Sequence, residues 1–496
     1  MQRFLDQFRL DPRPGAPSHR LTRDLVVRGL GLVHVIAFLS LWVQVTGLIG
    51  RAGLLPAGNA AVAVAQTLGW KKFLALPSLF WLYPTDGMLH AMCAAGVMLG
   101  VAVVIGLFQG PALLLLWVLY LSLFTASQLF LAFQWDLLLL EATFLALLVA
   151  PWGMWAHRAP EPAPLGLTLF RALFLKLMFL TGLVKVVSGD PAWRDFTALS
   201  YHYLTQPLPN PLSWYLHQAP LWFHQVSVAL VFAVELVLPW LFLFGRKPRM
   251  VALVGTLVVV AGAQVSGNVG FFHLLTAVIA LSLLDDEVLR RLVRIQRRGS
   301  ATVTSTPRPS RGYFVGLFAT LLLCLNGILL WALAVGPSEI PAWGQRILVR
   351  TQPWRLANVY GPFPTIPQTR PEVVFEGSED GTTWVPYTFR YTPTDPTRKP
   401  PLVAPHQPRL DWMMHIAAQQ TCGDHLWVTR MMERLVEGSA PVTGLFLEDP
   451  FPEGPPRYVR STVWTYRFTA PGEDPEAWWV REGPAAEYCP QVSWEE

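Results

Sequence analysis

Long apolar stretches, separated by short polar ones, dominate the first two thirds of the chain and predict membrane-spanning helices. A helix that crosses a bilayer needs about 20 mainly apolar residues, and fewer where neighbouring helices shield it. The fourth and eighth of the predicted stretches are the shortest and could be partial crossings. The nine predicted spans lie at residues 29–49, 88–108, 112–133, 137–150, 166–187, 225–244, 250–266, 269–284 and 313–335.

Residues 337–496 contain no such stretch, and apolar and polar positions alternate in parts of this region. The string VVFEGSEDGTTWVPYTFRY at 373–391 predicts two strands around an Asp-Gly turn, because glycine accepts a positive φ. A second alternating run at 457–468 predicts another strand, and helical spacing recurs at 412–420 and 427–438. The predicted fold is therefore a polytopic α-helical membrane protein with a C-terminal β-rich, sandwich-like extramembrane domain.

The composition agrees with a protein that spans a membrane several times. Of the 496 residues, 52% are hydrophobic and 14% are charged, whereas soluble domains contain about 25% charged residues. This balance excludes a disordered chain, a disulfide-rich secreted scaffold and an ordinary cytosolic enzyme. The basic residues lie beside the apolar spans and form no aromatic-interleaved patch, so the expected partner is the lipid bilayer and not a nucleic acid.

The distribution of charge predicts which side of the membrane each loop faces. Lys and Arg collect in cytoplasmic loops, and arginines are concentrated at 1–28, in the turn 245–249 and in the loop 285–312. The loop 188–224 is poor in basic residues. Nine spans with a cytoplasmic N-terminus place the three basic segments inside. They place the loop 188–224 and residues 337–496 on the exoplasmic side.

Three parts follow from this topology: a basic N-terminus at 1–28, a membrane domain at 29–336 and an exoplasmic domain at 337–496. The last part holds 14 Lys and Arg against 20 Asp and Glu, although the whole chain has a net charge of +5. Its two cysteines are Cys422 and Cys489. They could form a disulfide if the outer compartment is oxidising, and two unrelated thiols are the alternative.

Several ionisable residues fall inside or beside the predicted spans. Burying a charge in a bilayer costs about 2.5–3.5 kcal/mol on insertion scales, so such residues mark functional sites or internal ion pairs. We expect carboxylates to pair with lysines, either to hold the bundle together or to line a polar cavity that opens outward. The residues of this predicted cavity are Asp136, Glu141, Lys176, Lys185, Asp190, Arg194, His202 and Glu235.

The chain carries no recognisable catalytic or metal-binding motif. Asp190 and Arg194 are four residues apart, a spacing that suits an ion pair within a helix. No spacing of His, Cys, Asp or Glu matches a metal site, and neither a phosphate-binding loop nor an esterase serine motif is present. We therefore expect neither a metal nor another cofactor.

Several strings resemble the lipase maturation factor family, and the matching segments run from the first span to near the C-terminus. The most specific are HYLTQPLPNPLSWY at 202–215 and APHQPRLDW at 404–412, with FQWDLLLLEATFLA at 133–146 and GNVGFFHLLT at 267–276. The resemblance implies a multi-pass protein that helps secreted lipases to reach an active fold. Animal members reside in the endoplasmic reticulum membrane; in a bacterium the location would be the cell membrane.

The resemblance also implies where a client protein would bind. It points to the outer loop and the outer domain, and therefore to a non-enzymatic maturation and assembly factor whose client is a secreted protein, in the family a lipase. The client-binding residues expected on this basis are Asp190, Trp193, Arg194, His202, Tyr203, Gln206, Trp214, His406, Arg409, Asp411 and Trp412.

Two alternatives remain open at this point. The membrane half is distantly similar to the transmembrane part of vitamin K-dependent carboxylases, which implies an intramembrane enzyme. In that alternative Lys176 or Lys185 would act as a base on a lipid, a quinone or a protein side chain. The weaker alternative is a transporter, in which the break between the seventh and eighth spans, around Asn268, would bind a ligand.

Overall fold

A computed structural model describes residues 9, 18–292 and 309–494 of the chain. Most of the basic N-terminus expected at 1–28, and most of the basic loop expected at 285–312, lie outside the described residues. Within them, seven helices are long and apolar enough to cross a membrane. Shorter helices occupy the positions of the fourth and eighth predicted spans. The predicted fold class, a polytopic helical membrane protein with a sheet-rich C-terminal domain, is confirmed.

The membrane half is a bundle of long helices joined by short ones. A π-turn (Ala233–Val237) and a 3₁₀ segment (Leu238–Phe244) extend α12 into a full span. Its helices are α1 (Arg20–Trp42), α2 (Val45–Ile49), α3 (Ala57–Leu68), α4 (Lys72–Ala75), α5 (Asp86–Ile105), α6 (Gln109–Ala126), α7 (Gln134–Val149), α8 (Pro164–Val187), α9 (Pro191–Arg194), α10 (Ala198–Thr205), α11 (Pro211–His217), α12 (Leu221–Phe232), α13 (Arg246–Ser266), α14 (Phe272–Ala280), α15 (Asp286–Leu292) and α16 (Pro309–Val335).

The first helix begins nine residues before the first predicted span. The prediction began at residue 29 because three arginines precede it, but in the structure these arginines belong to α1. Arg23 donates a hydrogen bond of 2.7 Å to the carbonyl oxygen of Pro160, and Arg28 donates to the carbonyl oxygen of Val104. Since these contacts satisfy the guanidinium groups, the basic residues do not end the helix.

The last third folds around one antiparallel sheet. Its strands are β1 (Arg370–Ser378), β2 (Val385–Tyr387), β3 (Tyr458–Phe468) and β4 (Trp479–Ser493), in the order β2-β1-β3-β4. The predicted hairpin is present, with Phe375 opposite Tyr387, and Gly381 has a φ of 75° in its turn. The strand β4 escaped the sequence analysis because Gly483 and two prolines interrupt its alternation, and its pairing with β3 is irregular.

Helices, and not a second sheet, form the other layer of this domain. They are α17 (Ala342–Thr351), α18 (Arg409–Ala418), α19 (Leu426–Val436) and α20 (Ala440–Thr443). Both α18 and α19 bury apolar side chains against the sheet, so the expected sandwich is a sheet covered by helices. A disulfide between Cys422 and Cys489 joins the turn before α19 to β4.

The two ends of the bundle differ in what they contact. At one end, the acidic start of α15 meets basic helix ends: Asp286 accepts from the N–H of Thr22, and Asp285 pairs with Arg246 at 2.8 Å. The sheet domain sits on the opposite end, where Arg409 contacts the carbonyl oxygen of Phe130. The loop 188–224 lies at this same end, where Arg370 of the sheet domain donates to the carbonyl oxygen of Leu204.

Candidate functional site

The centre of contact between the bundle and the sheet domain is a buried ion pair between Asp136 and Arg409. The two guanidinium Nη atoms donate to the two carboxylate oxygens at 2.6 and 2.8 Å, and both side chains are 0% exposed. Asp136 lies in the first turn of α7, where the helix dipole favours a negative charge. The pair therefore joins a membrane helix directly to the first residue of α18.

Aromatic and hydroxyl groups complete the surroundings of this pair. The Tyr120 hydroxyl donates to Asp136 at 2.5 Å, and the guanidinium lies over the ring of Phe133 at 5.7 Å from its centroid. The rings of Trp135 and Trp412 meet edge to face at 4.8 Å. These contacts exclude water and supply the additional hydrogen bond that a buried ion pair requires.

A second polar contact lies at the break between α13 and α14. The Asn268 side-chain oxygen accepts from the N–H groups of Val403 and Ala404 at 2.9 and 3.1 Å. Its amide nitrogen donates to the carbonyl oxygens of Pro401 and Pro209. Because four protein groups already use this amide, Asn268 links the outer loop to the sheet domain, and its own side chain has no free group for the ligand of the transporter alternative.

A third contact fixes the outer loop on the sheet. Arg370, the first residue of β1, is fully buried and donates to the carbonyl oxygens of Leu204 and Pro207 at 2.8 and 2.9 Å. It also pairs with Glu372 at 2.6 Å. The bundle also contacts the start of α18 directly: the side-chain oxygen of Gln44, which follows α1, accepts from the backbone N–H of Arg409 at 2.8 Å.

The specific strings of the sequence therefore meet at one interface. The strings at 133–146, 202–215, 267–276 and 404–412 each contribute a buried polar group or backbone atom to the contacts above. Sequence analysis singled out these strings without showing that they touch. Their shared role is to dock the sheet domain on the bundle.

Most of the expected client-binding residues are consequently inside the protein. Trp193, Tyr203, Gln206, Arg409, Asp411 and Trp412 are buried, and His202, Trp214 and His406 are partly buried. Several of their polar atoms have protein partners: for example, Trp214 Nε1 donates to Thr469, and Trp193 Nε1 to the carbonyl oxygen of Phe363. Trp412 Nε1 is buried without a hydrogen-bond partner among the described residues. A client cannot reach these buried groups while the two parts are docked.

Asp190 and Arg194 do not form the expected ion pair. The Asp190 carboxylate accepts from the N–H groups of Ala192 and Ile366, both at 2.7 Å, and so caps α9. Arg194 pairs instead with Asp195, and its side chain is 72% exposed. The prediction was wrong because α9 has only four residues, and Asp190 precedes it as the cap, where its carboxylate turns to backbone donors.

The expected polar cavity is divided into separate sites. Glu141 pairs with Lys176, and Lys185 pairs with Glu235 at 2.9 Å, so each lysine does pair with a carboxylate. Asp136 finds its partner in the sheet domain and contacts neither lysine. The prediction of one shared cavity failed because sequence alone could not show that an arginine 273 residues away satisfies Asp136.

Each lysine pair borders its own cavity. The larger cavity has a volume of 810 Å³ and includes Glu141, Lys176, Asn326 and Tyr360 in its wall. The smaller one, of 460 Å³, lies beside Lys185, Glu235, His202 and Trp193. Burial, followed by the nearby Lys185 ammonium, lowers the pKa of His202 to about 4, so this imidazole is neutral at physiological pH.

The lysines are poorly placed to act as bases. Lys185 donates to both oxygens of Glu235 and to the carbonyl oxygen of Thr181, which uses all three of its N–H groups. Lys176 donates to Glu141 and to Asn326. Among the described residues there is also no group of three or more His, Cys, Asp or Glu that could hold a metal ion.

Several residues that build these sites were absent from the sequence analysis. Tyr120, Tyr360 and Asn358 supply hydrogen bonds to the buried carboxylates, and Arg370 fixes the outer loop. Tyr120 is a lone tyrosine in an apolar span, and Arg370 begins a strand, whereas Asn358 and Tyr360 lie in a segment without a regular pattern. Such signals do not name a partner.

Bundle, outer loop and docked sheet domain together define a class: multi-pass membrane proteins that carry an extramembrane domain fixed to one end of the bundle. Residues 21–291 match the lipase maturation factor transmembrane domain family, and residues 356–490 match the lipase maturation factor C-terminal domain family. The chain belongs to the lipase maturation factor family, as the resemblance of its sequence strings indicated.

Curated relatives match nearly the whole chain. Human lipase maturation factor 2 is 32% identical over 96% of this chain and 83% of its own length. Mouse lipase maturation factor 1 is 33% identical over 93% of this chain and 85% of its own length. Lipase maturation factor 2 of Xenopus laevis is 31% identical, again over 96% of this chain. No solved structure matches the chain significantly.

We predict that Arg409→Ala destabilises the protein by about 3–5 kcal/mol, because it leaves the Asp136 carboxylate buried without a partner. The measurement is the thermal unfolding midpoint of the purified protein in detergent, together with its accumulation in membranes. Arg291→Ala, which removes an exposed arginine, is the matched control and should behave like the original protein. The double variant Asp136→Leu with Arg409→Met should recover part of the loss, since it leaves no uncompensated charge. An Arg409→Ala protein as stable as the original would contradict this account.

We predict a pH-dependent effect of Asp411→Asn. Burial raises the pKa of Asp411 to about 6, although its carboxylate accepts from the N–H groups of Tyr391 and Thr392. This pKa lies above the unfolded value of about 3.9, so the stabilising contribution is complete below pH 4 and is lost as the pH rises through 6. Relative to Asp411→Asn, the original protein should lose up to about 3 kcal/mol between pH 4 and pH 7. Unfolding midpoints measured across this range test it, and parallel curves would contradict it.

Proposed function

We propose that this chain is a membrane-embedded maturation factor that assists the folding of a secreted client on the exoplasmic side, and that the client is a lipase. The observation that carries the proposal is that both family regions match in one chain, alongside relatives named lipase maturation factors. The docked sheet domain supports it, because a helper of secreted proteins needs a fixed surface outside the bilayer.

The orientation is part of this proposal. The end of the bundle opposite the sheet domain carries the basic groups Arg23, Arg28, Arg246 and Arg249, and basic ends favour the cytoplasm. The disulfide between Cys422 and Cys489 is of the kind that persists in oxidising compartments. The N-terminus would then be cytoplasmic and the sheet domain exoplasmic, in the endoplasmic reticulum of a eukaryote or at the cell membrane of a bacterium.

Client contact must fall on exposed side chains, because the motif residues are occupied by the docking interface. Leu402 and Leu426 are each 78% exposed on the sheet domain, although neither lies in a strand. Among the expected client-binding residues, Arg194 remains exposed at the same end of the bundle. Unfolded proteins expose apolar segments, so exposed leucines are suitable contacts for a folding intermediate. We propose these three side chains as client contacts.

We predict that the chain raises the specific activity of a co-expressed secreted lipase in cells that lack their own maturation factor. The double variant Leu402→Ser with Leu426→Ser should lower this yield, since fully burying a leucine contributes about 1.5–3 kcal/mol and losing both contacts should weaken capture at least about tenfold. Arg194→Ala tests the third contact. The measurement is active lipase per unit of secreted lipase protein.

Accumulation and unfolding midpoint must be unchanged in these variants, because all three positions are exposed. Leu292→Ser, an exposed leucine at the opposite end of the bundle, is the matched control and should leave the yield intact. If the unaltered chain accumulates in the membrane and gives no more active lipase, a lipase client is excluded. If the unaltered chain raises lipase activity, and the leucine and Arg194 variants raise it equally well, the proposed contact surface is wrong.

We predict opposite labelling of two introduced cysteines. In sealed membranes of known orientation, a membrane-impermeant maleimide should label Glu379→Cys, in the exposed hairpin turn, from the exoplasmic side. It should label Arg291→Cys, at the other end, only after permeabilisation. The two sites are both exposed, so a difference reports the side and not the accessibility of the residue. Labelling of Arg291→Cys from the exoplasmic side would reverse the proposed orientation.

A further inference from the structure

The larger cavity opens on the surface of the bundle that faces lipid. Its two long walls are α8 and α16. The helix α16 stands partly away from the rest of the bundle, because only 22% of its most apolar stretch is buried. Val187, Leu323 and Leu333 line the cavity and are also exposed to the surroundings of the bundle. A lipid can therefore enter sideways between the two helices without leaving the bilayer.

The polar part of this cavity lies near the middle of the membrane. Lys176 is the thirteenth of the 24 residues of α8, which places it about 18 Å along the helix axis within a hydrocarbon core of about 30 Å. The lining runs along α8 from Leu169 to Val187 and along α16 from Leu322 to Ala334, so the cavity extends to both sides of Lys176 and further toward the sheet-domain end. The eleven residues from Lys176 to Val187 span about 16 Å of helix, close to the thickness of one leaflet.

One hydrogen-bond donor in the polar part of the cavity has no acceptor among the described residues. Both oxygens of Glu141 are used: one by Lys176, and the other by the N–H of Asn358 and the hydroxyl of Tyr360. The Lys176 ammonium donates to Glu141 and to the side-chain oxygen of Asn326, which accounts for two of its three N–H groups. A ligand that completes this site must accept a hydrogen bond.

The charge of the site favours an uncharged ligand. Lys176 and Glu141 neutralise each other, and the other wall residues along α8 and α16 are almost all apolar. A phospholipid would have to bring its charged head group to the middle of the membrane, where a charge is costly. In its normal orientation the phospholipid would place only chain ends beside Lys176. An uncharged lipid with a carbonyl oxygen has neither difficulty.

We propose that the cavity between α8 and α16 binds an uncharged, carbonyl-bearing lipid, with its carbonyl oxygen on the Lys176 ammonium and its chain along the groove toward the sheet-domain end. An acylglycerol ester and a prenyl quinone share this chemistry. The site differs from the proposed client contacts, which lie outside the bilayer, and it does not depend on what the client is. The volume of 810 Å³ is within the usual range of ligand cavities, about 300–1,000 Å³.

One glycine in the cavity wall offers a position from which the cavity can be filled. Gly327 lies on α16 in the cavity wall, and a Cβ at this position would meet no atom within 4 Å. Gly327→Phe should therefore extend its side chain into the cavity from a position with room for a Cβ, and replacing a helical glycine raises helix propensity. Gly262 on α13 has the same free space but lines the smaller cavity, so Gly262→Phe is a matched control.

The test is photocrosslinking of the full-length protein in phosphatidylcholine nanodiscs. Three probes carry a diazirine on the same kind of chain: dioleoylglycerol, a prenyl quinone and phosphatidylcholine. We expect saturable labelling of peptides from α8 and α16 by the glycerolipid or the quinone. The probe that gives this labelling identifies the class of lipid that supplies the carbonyl oxygen. Gly327→Phe should reduce that labelling about tenfold, the effect of a 1.4 kcal/mol change, and Gly262→Phe should leave it unchanged.

Three results would overturn the proposal. The first is labelling that neither uncharged probe can saturate. The second is equal, saturable labelling by the phosphatidylcholine probe, which would show a general lipid groove. The third is a Gly327→Phe protein that labels like the original. Unfolding midpoints of both glycine variants must equal that of the original protein, so a loss of labelling cannot come from misfolding.

Discussion

The structure depends on one buried ion pair, in which Arg409 of the sheet domain neutralises Asp136 of the membrane bundle. Neither charge has access to water, so each is tolerable only while the other is present. This mutual requirement joins the folding of the two halves: the bundle cannot bury Asp136 favourably before α18 has docked. The pair thus helps to fix the place of the domain on the bundle.

The polar contacts around the pair extend this constraint across the whole interface. Asn268 and Arg370 bind backbone groups of segments that are far apart in sequence, and backbone groups are paired wherever water is excluded. A sheet domain fixed in this way has a constant position on the bundle. Under the proposed function, the residues that make the surface rigid differ from those that would touch the client, and the most specific strings belong to the first group.

The remaining charges inside the membrane form self-contained pairs with separate consequences. Lys185 uses all of its donors within its own pair, whereas Lys176 keeps one donor beside an apolar cavity that faces lipid. The same kind of ion pair can therefore use every lysine donor at one site and leave one donor available to a ligand at another. At the Lys176 site, the depth in the membrane determines the charge of a suitable ligand, since an uncharged group reaches the middle of a bilayer at little cost.

The sequence by itself determined the fold class, the places of the spans, the hairpin around Asp380 and Gly381 and the family, because each depends on local periodicity, local turn chemistry or a contiguous string. It could not determine that α1 contains its arginines, that Asp136 pairs with Arg409, or that Asp190 caps a helix. Those outcomes depend on partners hundreds of residues away or on where a short helix begins. Only the tertiary structure decides which charge meets which, because apolar spacing orients helices in the membrane but does not specify the contacts of a single polar side chain.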